Sequence, residues 1–464
     1  MARMKTAPDY GTPEQFAKHA RRAVVAATIG TMIEWYDFYL YGLVAALVFG
    51  KLYFPSQDPF TGTLLSLSTF FLGFVARPIG AVLFGHFGDR IGRKGTLIAT
   101  LMLMGSSTIA VGLVPSYDSI GIWGGIILVV LRMLQGIGVG GEWGGSVAVA
   151  TEWSQFDKRR GLAGSWPQFG SPLGLLLAVV VLNVVNHTSS PEWFQTIGWR
   201  IPFLLSIILI GIGFYIRVGV LETPVFAEMQ EKKQVLKTPV LDVLKYHWRE
   251  VVLTCLIRTG QQAPFYLFTT FLVSYGSGTL NLSQGFLFNC VLGACCVSLV
   301  TTPLFGYLSD RFGRKRMYVL GALVMMAFAF PYYALIDTQN SFLVAIAIIV
   351  SLPVHDMQYG PQAAFIAESF PPAMRYSGSS LGYQLASITS GGPAPIIAAW
   401  LIHTYHSSIA ISIYLAIIAG ISAVSAMFLR DRSKFSYESE EAWAIEDAAG
   451  GALAVAGPGG KQLG

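Results

Sequence analysis

Seven ionisable side chains occupy positions where such groups are expensive. Glu34, Asp37, Arg77, Arg132, Arg258, His355 and Asp356 all fall inside long apolar stretches of the sequence. A charge in lipid is costly enough to make each one a functional candidate. A carboxylate can take up and release a proton, and a guanidinium can grip a carboxylate through two parallel hydrogen bonds. At about 1.5 Å of rise per residue, Asp37 lies about 20 Å from either end of its stretch. Arg132 lies about 16 Å from one end of its own. Matching depth lets the two neutralise each other. Protonation of Asp37 would then free Arg132 for an anion or a new partner, a two-state shift through which one equilibrium drives another. A permanent structural ion pair is the competing reading. Glu34 shares the helix face of Asp37 three residues earlier. With Glu142 it forms a reserve of proton carriers, although Glu142 could instead join a charged network with Glu152.

Arg258 is the natural partner for a carboxylate substrate. It lies about 9 Å inside its stretch. Gln261, Gln262 and Tyr266 follow at spacings of three, four and eight, near one helix face. Tyr36, Gln168 and Gln358 are candidates for reading hydroxyl groups, as are Trp166, Tyr359, Tyr383 and Gln384. Asp356 is deep as well and joins the substrate set. Arg77, beside Pro78, suits helix packing equally well.

These residues need helices that cross a bilayer. Of 464 residues, 53% are hydrophobic and 12% charged, against about 25% charged in soluble domains. Such a chain needs lipid as solvent. Apolar stretches long enough to span fall near 24–50, 63–86, 95–114, 121–150, 162–186, 200–219, 252–275, 285–308, 317–336, 342–366, 377–403 and 408–429. Basic residues gather at every second boundary: Arg21 and Arg22, Arg90 and Arg93, Lys158 to Arg160, the segment 220–250, Arg311 to Arg316, Arg375, and Arg430 to Lys434. The alternate boundaries hold little beyond Lys51 and Arg200. The net charge of +5 therefore reflects topology, with basic loops and both termini cytoplasmic, and not a nucleic-acid surface. The pattern requires an even number of spans and supports twelve. The first span is expected to serve as its own uncleaved insertion signal. Residues 1–219 form a first six-helix half, 220–250 a cytoplasmic linker, 251–432 a second half, and 433–464 a disordered tail. The four cysteines lie in apolar stretches and suit packing, and no His/Cys cluster suggests a metal.

The two halves repeat. Gly85-His-Phe-Gly-Asp89-Arg90-Ile-Gly-Arg93-Lys94 recurs as Gly306-Tyr-Leu-Ser-Asp310-Arg311-Phe-Gly-Arg314-Lys315. Glu152 precedes Arg159 by seven positions, and Glu368 precedes Arg375 by seven. The glycines allow close helix approach. The charged residues are suited to a conformational latch at the cytoplasmic face.

These paired motifs resemble the signature of the major facilitator superfamily. Glu34-Trp-Tyr-Asp37-Phe, Tyr41-Gly42, Arg77-Pro78-Ile-Gly80 and Arg132-Met-Leu-Gln135-Gly136, running on to Gly140-Gly-Glu142-Trp-Gly-Gly145, resemble its metabolite:proton symporter family. Within it the likeness is greatest to the shikimate-type organic-acid carriers. The resemblance spans roughly residues 20–430. It implies an all-α fold of twelve transmembrane helices in two six-helix pseudo-symmetric halves. It also implies a cavity lined by spans 1, 4, 7 and 10, on which Asp37, Arg132, Arg258 and Asp356 fall one each. The implied activity is proton-coupled symport of a small organic acid across the inner membrane by alternating access. The partners are the solute, protons and membrane lipids. No nucleic acid or cofactor is expected, and the protein is expected to be a monomer. The chief rival is a betaine or proline osmolyte symporter, against which the missing C-terminal coiled coil counts. An intramembrane enzyme would need a nucleophile–base pair or a metal set. A signalling receptor would need an output domain. Gly136, Gly138 and Gly141 fit G-x-G-x-x-G, but inside an apolar span they suit helix packing and not a dinucleotide. No phosphate-binding G-x-x-x-x-G-K-[ST] loop occurs.

Overall fold

The computed structural model describes residues 12–55, 59–154 and 159–433. The expected tail from 434, and Lys158 of one basic loop, lie outside the described residues. Twelve helical spans run through the rest. Span 1 is Pro13–Val44, continued by a π turn at Ala45–Phe49. Spans 2 to 6 are Pro59–Arg90, Arg93–Leu113, Trp123–Trp153, Arg160–Thr188 and Arg200–Val218. Span 7 is Trp248–Tyr266, continued by a π turn at Leu267–Phe271 and by Leu272–Gly278. Spans 8 to 10 are Gln284–Phe312, Arg314–Asp337 and Ser341–Ala367. Span 11 is Arg375–Ala386, a π turn at Ser387–Gly391 and Pro393–Tyr405. Span 12 is Ile409–Phe428. Short helices Pro224–Glu231 and Pro239–Tyr246 lie between spans 6 and 7. All twelve expected spans are present, with ends moved by several residues. Span 7 begins at Trp248 and not at 252, so Arg258 sits about 15 Å from its start and is deeper than expected.

Local chemistry sets the helix ends. Thr12 and Gln15 form a reciprocal cap on span 1. Asn340 accepts from the amides of Phe342 and Leu343 at the start of span 10. The turns from span 2 to 3 and from span 8 to 9 pass through Gly92 (φ +133°) and Gly313 (φ +96°). Only glycine adopts that backbone without strain, which accounts for the repeated Gly-Arg-Lys.

Among the described residues, ten helices are long and apolar enough to cross a membrane. The other two are spans 1 and 7, the spans of Glu34, Asp37, Arg258, Gln261 and Gln262. Helices too polar for lipid have their polar residues buried within the bundle: these five are at most 2% exposed. Span 1 packs on spans 4, 5 and 6, and span 7 on spans 11 and 12. Span 4 approaches its neighbours through glycine. A Cβ at Gly136 or Gly140 would strike the backbone of span 2, and one at Gly138 would meet Met104 of span 3.

Candidate functional site

Two buried hydrogen-bond relays occupy the two halves. In the first, Arg132 of span 4 donates to Gln135 Oε1 (3.2 Å). Gln135 Nε2 donates to Thr108 Oγ1 of span 3 (2.7 Å), and Thr108 donates to Asp37 Oδ2 of span 1 (2.8 Å). Ser206 of span 6 donates to Asp37 Oδ1 (3.0 Å). Asp37 and Arg132 are thus brought together, but through an amide and a hydroxyl, without the direct ion pair the sequence suggested. The arginine instead lies over the rings of Phe38 (4.7 Å) and Tyr41 (4.5 Å), which take up part of its charge.

In the second half, Arg258 of span 7 donates to Gln261 Oε1, and Gln261 Nε2 meets His355 Nε2 of span 10. His355 Nδ1 lies 3.0 Å from Asp356 Oδ1, and Thr301 of span 8 donates to Asp356 Oδ2 (2.5 Å). Gln362 offers Arg258 a longer acceptor at 3.4 Å. The guanidinium carbon stands 3.9 Å from the centre of the Tyr383 ring, which stacks on Trp143 of span 4 at 3.4 Å. The Nε of Arg258 is buried with no partner among the described residues.

Between the halves runs a narrow crevice lined by Trp35, Ser171, Arg258, Gln261, Gln262 and Tyr266, with Phe265 and Tyr359. Gln262 accepts from Ser390 (3.3 Å). Arg258, Gln261, Gln262 and Tyr266 therefore meet at one place, as their helical spacing suggested. Trp35 of span 1 lines the crevice as well and was not among the candidates the sequence suggested.

Other candidates point elsewhere. The Tyr36 hydroxyl is spent on the carbonyl of Pro202 in span 6 (2.8 Å). Asp356 faces Thr301 and His355 and does not line the crevice. Gln358 packs on Gly321 of span 9, and its amide has no partner among the described residues. Gln168 bridges the halves, accepting from Trp143 (2.7 Å) and donating to the Tyr359 carbonyl (3.3 Å). Gln384 donates to the Val139 carbonyl. Trp166 is 37% exposed on span 5. Arg77 lies 4.5 Å from the Phe38 ring centre and 4.7 Å from that of Phe74.

Glu34 is buried, and its Oε2 has no partner among the described residues. Glu142 has three: Arg217 of span 6, Thr100 (2.8 Å) and Ser146 (2.9 Å). It belongs to neither a bare proton site nor the network of Glu152, as the sequence had left open. Arg217 was missed because it sits one residue from a helix end and reads as a topogenic charge.

The basic end of the bundle is closed by four carboxylates. Asp89 of span 2 accepts from the amides of Tyr376 (3.2 Å) and Ser377 (2.8 Å), at the start of span 11. Asp310 of span 8 accepts from the amides of Gly161 (2.8 Å) and Leu162 (2.9 Å), at the start of span 5. Each carboxylate thus caps a helix of the opposite half, where unpaired amides and the helix dipole favour negative charge. Arg93 holds Asp89 (3.2 Å) and Arg314 holds Asp310 (2.7 Å). Glu152 pairs with Arg93 and Arg375, both at 3.4 Å. Glu368 pairs with Arg314 (3.1 Å) and Arg160 (3.4 Å). The expected partner Arg159 is exposed, and Arg160 takes that place. Arg90 and Arg311 are exposed too. Gly85 and Gly306 lie against Ser377 and Ser165, where a Cβ would crowd the opposite half.

The turn glycines are braced by a pair the sequence did not reveal. Glu222, after span 6, accepts from the amides of Arg93 and Lys94 (both 3.2 Å) at the start of span 3. Asp431, after span 12, accepts from Lys315 (3.2 Å) at the start of span 9.

A family model described as Major Facilitator Superfamily matches residues 27–392 and 291–454. The chain is 38% identical over 415 residues to the Inner membrane metabolite transport protein YhjE of Escherichia coli (strain K12), covering 88% of this chain and 94% of that one. It is 38% identical over 436 residues to the Shikimate transporter of the same strain, covering 93% and 99%. A Proline/betaine transporter of that strain follows at 32% over 421 residues, covering 89% and 83%. Among solved structures, the proton:xylose symporter XylE bound to 6-bromo-6-deoxy-D-glucose matches with a TM-score of 0.73 at 19% identity, covering 92% of this chain and 99% of that one.

Proposed function

The chain belongs to the major facilitator superfamily and is a multi-pass membrane transporter, and from that premise we propose that it carries a small organic acid into the cell together with a proton. The substrate class is a carboxylate metabolite of shikimate type. The membrane is the bacterial inner membrane, with the basic loops and both termini cytoplasmic.

The observation that carries this reading is Arg258 in the crevice between the halves. A buried guanidinium with an unpaired Nε is a strong receptor for a carboxylate, because it is already out of water and lacks an acceptor that the carboxylate supplies. Gln262, Ser171, Tyr266 and Tyr359 surround it with groups suited to hydroxyls. The crevice lies where spans of the two halves meet, as an alternating-access carrier requires. The relative of matching length named for shikimate supports the same class.

Proton coupling resides in Asp37. Its two hydroxyl donors stabilise the carboxylate, and protonation withdraws the acceptor that Thr108 uses. Thr108, Gln135 and Arg132 must then re-pair, which transmits the change to span 4. The basic-end cluster of Asp89, Asp310, Glu152 and Glu368 is the latch. It is closed in this structure, and inward opening would break the contacts across the halves.

Purified protein in proteoliposomes with an internal pH dye tests the proposal against a panel of organic acids, betaine and proline. The expected result is internal acidification with one organic acid, abolished by Asp37→Asn. A response only to betaine or proline would replace the organic-acid reading. The aromatic wall of Trp35, Phe265 and Tyr266 gives that second reading its footing, since aromatic faces bind quaternary ammonium.

A further inference from the structure

We propose that His355 is a second proton-binding site, and that its protonation turns the Gln261 amide and releases Arg258 to bind the anionic substrate. The proposal rests on the reading of Arg258 as the carboxylate receptor.

The donors and acceptors around His355 permit one arrangement. Gln261 Oε1 accepts from Arg258, so its amide nitrogen faces His355 Nε2. An amide nitrogen only donates. His355 Nε2 must therefore be the bare, accepting nitrogen, and the ring proton sits on Nδ1, donating to Asp356. Thr301 holds the other oxygen of Asp356 and fixes its direction. His355 is neutral in this state, and Arg258 is held by the amide oxygen.

A proton arriving at His355 Nε2 turns that acceptor into a donor. Two donors cannot face each other across a hydrogen bond. Gln261 resolves the conflict by rotating its amide half a turn, so that Oε1 accepts from the imidazolium. Its nitrogen then faces Arg258, which loses its nearer acceptor and keeps only the longer contact to Gln362. The guanidinium has unpaired donors beside the crevice, and the local charge has risen by one. Both changes favour a carboxylate. One N–H bond forms at Nε2 as one O–H bond of the donating hydronium breaks, leaving water.

His355 is 1% exposed and has ring neighbours Phe265 (5.4 Å between centres) and Tyr359 (5.0 Å). The titratable or charged groups facing His355 are Asp356 and Tyr359 on its own span and Arg258 on span 7, and Cys295 on span 8 lies near Asp356. Asp356 offsets the positive charge that Arg258 opposes. Linkage makes the effect reciprocal: if the proton raises affinity for the anion, the anion raises affinity for the proton by the same factor. Both ligands then favour travelling together.

The test uses the full chain in lipid nanodiscs and shikimate as the probe. The dissociation constant and the protons taken up on binding are measured by calorimetry in buffers of different ionisation enthalpy, between about pH 5 and pH 8. In the unmodified chain affinity should rise on acidification, by about tenfold per pH unit for one linked proton. His355→Gln keeps hydrogen bonding but cannot take the proton. It should bind with about one proton fewer and a flatter pH profile, and His355→Asn, checked for an unchanged melting temperature, should do the same. An equal proton count in the folded variants would overturn the proposal. A second arm needs no substrate. Nitrogen-15 spectra of histidine-labelled protein, with His355 assigned by difference against His355→Gln, should show a neutral Nδ1–H ring at high pH and an imidazolium at low pH. Gln261→Leu should move that transition. A ring that stays neutral to about pH 5, or a transition indifferent to Gln261→Leu, would overturn the switch. If no carboxylate binds while the spectra behave as expected, the substrate reading fails and the proton site stands.

Discussion

The two relays share a plan and differ in the group that links amide to acid. Each begins with an arginine and passes through the glutamine three residues later: Arg132 to Gln135, Arg258 to Gln261. Each ends at a carboxylate that also accepts from a hydroxyl, Asp37 from Ser206 and Asp356 from Thr301. The spans are crossed, because the arginine is on span 4 and the acid on span 1 in the first half, but on spans 7 and 10 in the second. Between amide and acid stands Thr108 in one and His355 in the other. A hydroxyl can donate and accept at once, so the first relay can re-pair without changing its charge. A given imidazole nitrogen must gain or lose a proton to reverse its role. The same scaffold thus yields a relay that reports the state of its acid and one that has a titrating group of its own. Only the second arginine lines the crevice.

The largest effect should separate the two arginines. Arg258→Ala should weaken substrate binding about 100-fold, the scale of removing one partner from a buried hydrogen-bonded charge pair. Arg132→Ala should leave equilibrium binding within a few-fold of the unmodified chain. Equal losses in a direct binding measurement would erase the distinction.

The two acids should separate next. Asp37→Asn should lower gradient-driven accumulation of substrate by about tenfold or more, the loss of one coupled proton. It should preserve substrate exchange between loaded and unloaded vesicles, which needs no net proton movement. Loss of exchange as well would mean that Asp37 holds the structure and does not carry the proton.

A smaller effect should come from the basic end, where the halves are near-copies. Asp89→Asn and Asp310→Asn each weaken charge-assisted contacts to two amides of the opposite half. Each should shift the population toward inward-open by roughly three- to tenfold, since neutralising a cap at a helix start costs about 1 kcal/mol. Distances between spin labels on spans 2 and 11, and on spans 8 and 5, would read this. A change at one pair alone would show that the latch is asymmetric.

The smallest effect concerns Glu222, the counterpart of Asp431. Burial pushes its carboxyl above the ordinary glutamate range, against the lowering pull of the Thr223, Lys94 and Arg93 amides and the Arg93 charge. An acid with a raised folded pKa contributes stability below its unfolded value and loses it as pH rises through the folded one. The melting temperature of the unmodified chain should therefore decline relative to Glu222→Gln as pH rises above the usual glutamate range. Parallel profiles would show that the carboxylate is fully accommodated.

Much of this was written in the chain at short range. Hydropathy and the alternation of basic boundaries set twelve helices, ten of which are local apolar runs that need no partner to be recognised. Repeated Gly-Arg-Lys marked the two turns, because only glycine takes the required φ. The crevice residues on span 7 were legible from spacings of three, four and eight on one helix. The repeat Arg-x-x-Gln on spans 4 and 7 was also in plain view and would have pointed to Gln135. What connects these pieces lay beyond the sequence. Thr108, Ser206, Thr301 and His355 become relay members only through the rotation of each helix about its axis, which depends on packing between residues 27 to 169 positions apart. Tyr36 and Asp356 sit near the site in sequence but face away from it for the same reason. Asp89 finds its partners across the halves at Tyr376 and Ser377, and no local pattern records that the two helix starts meet a carboxylate there. The sequence determined which groups are buried, because their cost in lipid is a property of each residue. The tertiary structure decided which of them are joined by hydrogen bonds, because that depends on angles and distances between helices.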